Sequence, residues 1–273
     1  MSRHRGFLAT TIVGFARAVS RALTSERVAR QPGLLQSLDP RVRLVGLLSL
    51  VLAVTLSRKL VSVVALIVVA LLIATASRVS PAALATRVWL IVPGFTGVIA
   101  LPALFLTPGD PAMTSGAGSL VVTRQGIATA SLLVARIETA VTLTTLLILC
   151  TPWTHVLKAL RAFRLPQEAI MMLAMTHRYI FLLVETAGQM FESRQSRTVG
   201  ELRGDEQRLI MARTAGVLLS KSVTLSNEVF LAMQSRGFQG DVELLSEFQM
   251  RAWDYFGLLA FLGVGVLAVW AGR

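Results

Sequence analysis

The stretch VRLVGLLSLVLAVTLSRKLVSVVALIVVALLIATA, residues 42–76, contains two long apolar runs separated only by a Ser-Arg-Lys tripeptide. A helix that crosses a bilayer needs about 20 mostly apolar residues, so each run is nearly long enough for one crossing. The polar tripeptide between the runs favours a tight turn at the membrane surface. We therefore expect two membrane helices here, Val42–Leu56 and Leu60–Ala76, in an all-α membrane protein.

The composition of the whole chain agrees with this interpretation. Of its 273 residues 54% are hydrophobic and only 15% are charged, and the mean hydropathy is +0.66. An average soluble domain has about 25% charged residues. The net charge of +12 would also suit a nucleic-acid-binding protein, but the long apolar runs favour a multi-pass membrane protein whose cytoplasmic loops hold the cations. We expect the chain to lie in a lipid bilayer and to bind no nucleic acid.

Three further apolar runs bring the expected number of membrane helices to about five. These runs are Val88–Leu106, Gly126–Cys150 and Trp253–Trp270. Residues 107–124 are rich in Gly, Pro and Ser and predict a loop without helical period. The expected parts of the chain are a basic amphipathic leader (1–36), four membrane helices (37–150), a cytoplasmic segment (151–252) and the last membrane helix (253–273).

The distribution of Lys and Arg predicts the orientation in the membrane. In a five-helix arrangement, residues 1–43, 77–87 and 151–252 lie on one side and carry 22 of the 27 cations, whereas the other side carries four. Cytoplasmic loops are enriched in Lys and Arg. We therefore expect a protein of the inner cell membrane with its N-terminus in the cytoplasm and its C-terminus outside.

The leader has apolar residues at helical spacing among several arginines. Two interpretations stay open, a helix that lies on an anionic membrane surface and an extension without structure of its own. The apolar residues concerned are Phe7, Leu8, Ile12, Phe15, Val19 and Leu23.

Two stretches of the cytoplasmic segment have the pattern of long amphipathic helices. In residues 168–197 and again in residues 211–237, apolar side chains recur every three or four positions on one face, and polar side chains occupy another. Neither stretch contains an uninterrupted apolar run of span length. We expect two long helices that are too polar to cross the membrane and too apolar to stand alone.

Both helices are expected to end at the same pair of residue types. These pairs are Ser193-Arg194 and Ser235-Arg236, and Gly237 is expected to stop the second helix. A guanidinium can hold a carboxylate of a partner with two parallel hydrogen bonds and keeps its charge in an interface. A cation in the last turn also complements the helix dipole, which needs no partner. The repetition on consecutive helices favours a docking role.

Three blocks of the chain resemble one known family. They are SLDPRVRLVGLLSL (37–50), HRYIFLLVETAGQMFESRQSR (177–197) and NEVFLAMQSRGFQGD (227–241). Together they resemble the transmembrane T component of energy-coupling factor (ECF) transporters of the cobalt/nickel type. The resemblance covers about residues 37–270, and the third block is its most specific part.

The resemblance implies a coupling subunit that is not itself an enzyme. Its long helices would dock on two ATP-binding-cassette ATPase subunits, which hold ATP and Mg²⁺, and would relay their motion to a small membrane S component that captures the metal. Arg194 and Arg236 would be the docking arginines, and Arg197 a second contact. The residues carried over are Ser193, Arg194, Gln195 and Arg197 in the first motif and Ser235, Arg236 and Gly237 in the second. The family usually has Ala at the two serines and often Gly at Gln195.

Arg136 and Glu138 lie inside the fourth apolar run. Charged residues within a membrane span are costly and often functional. Residues two positions apart point to nearly opposite sides of a helix, so we expect no simple pair between them. Either each meets a partner on a neighbouring helix, or they contact a substrate-binding subunit or a proton path.

Other functions stay open from the residues alone. A stand-alone secondary transporter could use Arg136 and Glu138 to couple ions, although the apolar runs show no internal repeat. The T component of a vitamin importer, the membrane subunit of another ATP-driven importer and a membrane-anchored scaffold are further alternatives. The three histidines lack ligand spacing and no P-loop sequence occurs, so we expect neither a bound metal nor a cofactor in this chain.

Overall fold

The computed structural model describes residues 33–79, 84, 88–108, 110–114, 121–197, 204–238 and 251–273. The two interpretations of the leader fall on residues 1–32 and lie outside this part. The prediction of an all-α membrane protein is confirmed. The described helices are α1 (Leu34–Ser37), α2 (Pro40–Leu56), α3 (Leu60–Ala76), α4 (Ile91–Leu106), α5 (Arg124–Cys150), α6 (Trp153–Ala162), α7 (Gln167–Arg197), α8 (Gly204–Ser235) and α9 (Ala252–Gly272).

The helix pair expected from residues 42–76 is present as α2 and α3, joined by the polar turn. Helix α2 begins at Pro40 because proline suits the first helical position and needs no N–H partner there. Asp39 is its N-cap and accepts a hydrogen bond from the N–H of Arg41 at 2.8 Å. The start of the first membrane helix therefore follows from three consecutive residues.

Three described segments are long and apolar enough to cross a bilayer. They are α5, residues Gln167–Arg194 of α7, and α9, while α3 and most of α4 are shorter apolar helices. The expectation that residues 168–197 are too polar to cross a membrane was wrong by this measure of length and composition, although Thr176-His177-Arg178 does interrupt the apolar run. Its charged residues are few and widely spaced, so the average hydropathy stays high although the pattern is amphipathic.

A small antiparallel sheet interrupts the helices between α4 and α5. Strand β1 (Pro111–Thr114) pairs with β2 (Val121–Thr123), and the N–H of Arg124 donates to the carbonyl of Asp110 at 3.0 Å. The sequence predicted only a loop over residues 107–124. Strand pairing depends on partners distant in sequence, so these short segments carry little local signal.

The chain divides into two compact units, which are described separately. The membrane unit comprises described residues of 33–159 and 251–273, and the coupling unit comprises described residues of 160–238. In the membrane unit, α9 packs on α2 and α3, and α5 packs on α2, α3 and α4. Its buried core includes Leu35, Val42, Leu47, Leu50, Val54, Val63, Leu66, Leu143 and Leu146.

Helices α2 and α9 approach closely where Gly46 faces Phe261. A Cβ atom at position 46 would lie 2.5 Å from Cδ2 of the Phe261 ring, closer than real Cβ atoms come. Small residues let membrane helices pack with their backbones close together. Gly46 therefore fixes the contact between the first and last described membrane helices.

Candidate coupling site

The two long helices of the coupling unit run antiparallel. Met171 near the start of α7 and Met233 near the end of α8 line one cavity of about 600 Å³, whereas Met190 of α7 and Ile210 of α8 line another of about 450 Å³. The side of each helix that includes these residues is half-buried or buried at steps of three or four positions. It comprises Met171, Met175, Tyr179, Leu183, Ala187 and Met190 on α7 and Ile210, Thr214, Leu218, Ser222, Leu225, Val229 and Met233 on α8.

The antiparallel arrangement places the two Ser-Arg motifs at opposite ends of the helix pair. Arg194 lines the same cavity as Ile210, near the start of α8, whereas Arg236 follows the last residue of that helix. Ile210 and Ser235 are 25 positions apart, which is about 38 Å at 1.5 Å per residue.

The second motif forms a regular helix stop. Gly237 has a φ of +80°, and its N–H donates to the carbonyl of Gln234 at 2.9 Å. The N–H of Phe238 donates to the carbonyl of Met233 at 3.1 Å. This is the Schellman arrangement, in which glycine takes the left-handed conformation after a helix. The expected stop at Gly237 is confirmed. Arg236 is exposed at this end.

The first motif differs from the expectation, because α7 continues past Ser193-Arg194 to Arg197. The prediction that the helix ends at Ser193-Arg194 was therefore wrong. Arg194 is half-buried, lines the cavity with Met190 and Ile210 and already has an interaction within the structure. Ser193 and Arg197 are exposed and line the same cavity.

A repeated tripeptide gives a second candidate counterpart of the second motif. Residues 195–197 and 234–236 both read Gln-Ser-Arg; the second tripeptide lies at the end of α8, and the first comprises the last residues of α7 that the structure describes. The Ser196 hydroxyl donates to the carbonyl of Glu192 at 3.1 Å, and the Ser235 hydroxyl donates to that of Leu231 at 2.9 Å. The same tripeptide with the same local hydrogen bond makes Arg197 a candidate equivalent of Arg236 beside Arg194.

The two intramembrane charges have separate surroundings. Nη2 of Arg136 donates to the carbonyl of Ser57, the residue after α2, at 2.7 Å. Glu138 is 8% exposed, and neither of its carboxylate oxygens has a hydrogen-bond partner among the described residues. The two side chains do not pair with each other, as their spacing predicts. Arg136 fastens α5 to the turn between α2 and α3.

The described residues include no group of three or more His, Cys, Asp or Glu side chains that could hold a metal ion. The chemistry available at the ends of α7 and α8 is that of exposed guanidinium groups beside small hydroxyl side chains. Such groups bind carboxylates or phosphates of another molecule.

Comparison with known proteins adds a family. Residues 33–246 match the family model CbiQ, described as cobalt transport protein. An uncharacterized protein of Methanocaldococcus jannaschii is 28% identical over 247 residues, which cover 89% of this chain and 85% of that protein. The cobalt transport protein CbiQ of Rhodobacter capsulatus is 29% identical over 176 residues, which cover 64% of this chain and 72% of that protein.

The family match covers more than three quarters of the sequence, including all membrane helices except α9 and both long helices of the coupling unit. The apolar helices and this match agree on a membrane protein of a transport system. The chain belongs to the CbiQ family of cobalt transport proteins.

Proposed function

We propose that this chain is the transmembrane coupling component of an ECF-type importer for cobalt or nickel. It relays the motion of two ATP-binding-cassette ATPase subunits, which hold ATP and Mg²⁺, to an S component that captures the metal. One observation carries the proposal. Two exposed arginines, Arg197 and Arg236, follow the same Gln-Ser dipeptide at opposite ends of one antiparallel helix pair.

The separation of the two ends fits two partner subunits. With about 38 Å between the ends, each motif serves one ATPase subunit, and a movement of the two subunits relative to each other changes the force on the helix pair. An exposed guanidinium retains its full charge and can hold an acidic groove bidentately. Arg194, which lines the same cavity as Arg197, is placed to support the first contact.

The polarity of α8 supports a cytoplasmic position for α7 as well. Helix α8 is not among the segments apolar enough to cross a membrane, and it lines cavities with α7 near both ends of the pair. A helix that accompanies such a polar partner along its length is better placed in water and at the membrane surface than across the bilayer. The charged residues of α8 are Asp205, Glu206, Arg208, Arg213, Lys221 and Glu228.

The placement of Arg136 and Glu138 does not favour a stand-alone carrier. An ion-coupling pair needs two charges that can neutralise each other, but Arg136 is bound to the Ser57 carbonyl and Glu138 is apart from it. We place the N-terminus in the cytoplasm and the C-terminus outside, from the distribution of cations. A vitamin importer would use this chain in the same way, because the S component selects the cargo.

The test is co-purification of the chain with its ATPase subunits and S component after co-expression. Single substitutions Arg194→Glu, Arg197→Glu and Arg236→Glu are compared with Lys221→Glu, an exposed lysine near the middle of α8. We expect Arg197→Glu and Arg236→Glu to weaken ATPase binding about tenfold or more, equivalent to about 1.4 kcal/mol or more. Arg194→Glu should have a smaller effect, and the control should bind normally.

Cobalt uptake by cells that produce the same variants gives the second measurement. Uptake should fall with ATPase binding, while the chain stays in the membrane fraction at its usual amount. Full uptake in the double variant Arg197→Glu/Arg236→Glu would contradict the docking assignment. Loss of binding for Arg194→Glu alone would move the first docking contact back to Arg194.

A further inference from the structure

A short stretch of the membrane unit, residues 35–43, is attached by hydrogen bonds to the point where the chain leaves α5. Arg43 is only 3% exposed, and its guanidinium donates to three main-chain carbonyls. Nε donates to Leu38 at 2.8 Å, Nη1 to Cys150 at 2.9 Å and Nη2 to Gln36 at 3.0 Å. Cys150 is the last residue of α5, directly before the segment that contains α6, α7 and α8.

The same stretch is fastened to the point where the chain enters α9. Asp254 is 5% exposed and accepts two main-chain hydrogen bonds, from the N–H of Asp39 at 2.7 Å and from that of Arg251 at 2.8 Å. Arg251 is the residue directly before α9. A carboxylate at the start of two helices is stabilised by both helix dipoles, so this contact is favourable although it is buried.

A third fastening joins the stretch to the end of α3. Nε2 of Gln36 donates to the carbonyl of Ser77 at 3.1 Å, and the N–H of Leu35 donates to the Ser77 hydroxyl at 3.3 Å. Helices α2, α3, α5 and α9 are therefore connected at one place by hydrogen bonds to groups within residues 35–43. We call this place the joint.

The joint uses polar groups where apolar packing would suffice to hold helices together. Burying an arginine costs free energy unless its N–H donors are hydrogen-bonded. The donors of Arg43 are bonded to the backbone carbonyls of Gln36 and Leu38 and to that of Cys150, where the chain leaves α5. Hydrogen bonds to charged groups are short and directional, so they fix the position of a backbone more closely than apolar contacts do. Such a connection resists sliding of the end of α5 and the start of α9 relative to α2.

We infer that the joint transmits displacement of the segment between α5 and α9 into the membrane helices, with Arg43 and Asp254 as positioning residues. This inference rests on the proposed function, because the displacement comes from the docked ATPase subunits. A pull at Cys150 reaches α2 directly through the hydrogen bond of Arg43, and a pull at Arg251 reaches it through the Asp254 carboxylate; both reach α3 through Gln36. Without the joint, the chain after α5 and before α9 would shift locally, and the membrane helices would stay in place.

The experiment uses the complete complex with its ATPase subunits and S component in proteoliposomes. Asp254→Asn keeps one acceptor oxygen and loses the other. It should therefore break one of the two hydrogen bonds that the Asp254 carboxylate accepts from the N–H groups of Asp39 and Arg251. Arg43→Gln removes the three-carbonyl contact, and Arg43→Lys keeps part of it. Arg58→Gln is the matched control, because Arg58 is exposed at the opposite end of α2.

We expect Asp254→Asn and Arg43→Gln to lower the number of Co²⁺ ions imported per ATP hydrolysed by about fivefold or more, within the usual range of coupling between sites. ATPase binding and ATP hydrolysis should stay within about twofold of the unchanged protein, and Arg58→Gln should keep the full ratio. Arg43→Lys should give an intermediate ratio. Should Arg43→Gln fail to reach the membrane, Asp254→Asn and Arg43→Lys carry the test.

A purely structural role would give a different result. Leu143→Ala removes a fully buried side chain of α5 and lowers stability without touching the joint. If this variant lowers the import ratio as much as Asp254→Asn does, or if both joint variants keep the full ratio in an intact complex, the inference is overturned. If the unchanged chain fails to bind ATPase subunits, the proposed function falls first, and the inference falls with it.

Discussion

The membrane unit and the coupling unit use apolar residues in opposite ways. In the membrane unit, side chains such as Leu143 are fully buried between α5 and its neighbours. In the coupling unit, Thr214 is the only described residue of α8 that is fully buried, and Leu219 on the same helix is 68% exposed. The first unit is therefore stabilised by its own packing, whereas the second presents apolar surface that other molecules or lipid can cover.

Under the proposed function, this difference suits a chain with a rigid membrane unit and a coupling unit that changes position. Helices with few internal contacts can change position at low cost, and segments that move in transport are drawn from such regions. The membrane unit, which holds the joint and the close contact at Gly46, resists deformation.

Truncation of a leucine should have very different costs in the two units. Leu143→Ala in α5 should lower the free energy of unfolding by about 2–5 kcal/mol, because it leaves a cavity in a closed core. Leu219→Ala in α8 should change it by about 0.5 kcal/mol or less, since the side chain is mostly exposed. Thermal unfolding of the detergent-solubilised chain measures both. Equal losses for the two variants would show that the coupling unit is packed as tightly as the membrane unit.

Added methyl groups at two glycines should have effects of opposite sign. Gly46→Ala places a Cβ against the Phe261 ring and should destabilise the chain by about 1–3 kcal/mol. Gly216→Ala lies in the interior of α8 with nothing within 4 Å of the new atom, and it should stabilise the helix by about 0.5–1 kcal/mol. The same unfolding assay applies. Stabilisation by Gly46→Ala would mean that α2 and α9 are further apart than described here.

Much of the fold could be predicted from the sequence, because the positions and ends of these helices depend on local pattern. The apolar runs of residues 42–76 predict α2 and α3, and Asp39-Pro40 predicts the start of α2. Gly237 predicts the end of α8 for the same reason, since glycine alone takes the left-handed conformation readily.

The features that the sequence concealed depend on distant partners or on a choice between equal local signals. Arg43 looks like a flanking charge at the start of an apolar run, and its acceptor at Cys150 lies 107 positions away. The sheet of β1 and β2 needs pairing between two short segments and has no period of its own. Two Ser-Arg pairs follow each other at residues 193–197, and local pattern alone gives no reason to prefer one of them.

The smallest predicted effect concerns the end of α8. Gly237→Ala should cost about 1 kcal/mol, because alanine resists the φ of +80° found at this position. The cost should stay local, since the end of α8 makes few contacts, so global unfolding should hardly change. Hydrogen exchange of residues 230–238 should increase severalfold, and ATPase binding should weaken only slightly, because Arg236 keeps its charge.

Gly188→Ala, in the middle of α7 with open space around it, is the matched control and should leave exchange at residues 230–238 unchanged. A loss of ATPase binding as large as that of Arg236→Glu would mean that docking depends on the backbone of the stop as much as on the guanidinium, which would place the partner against Gly237 itself.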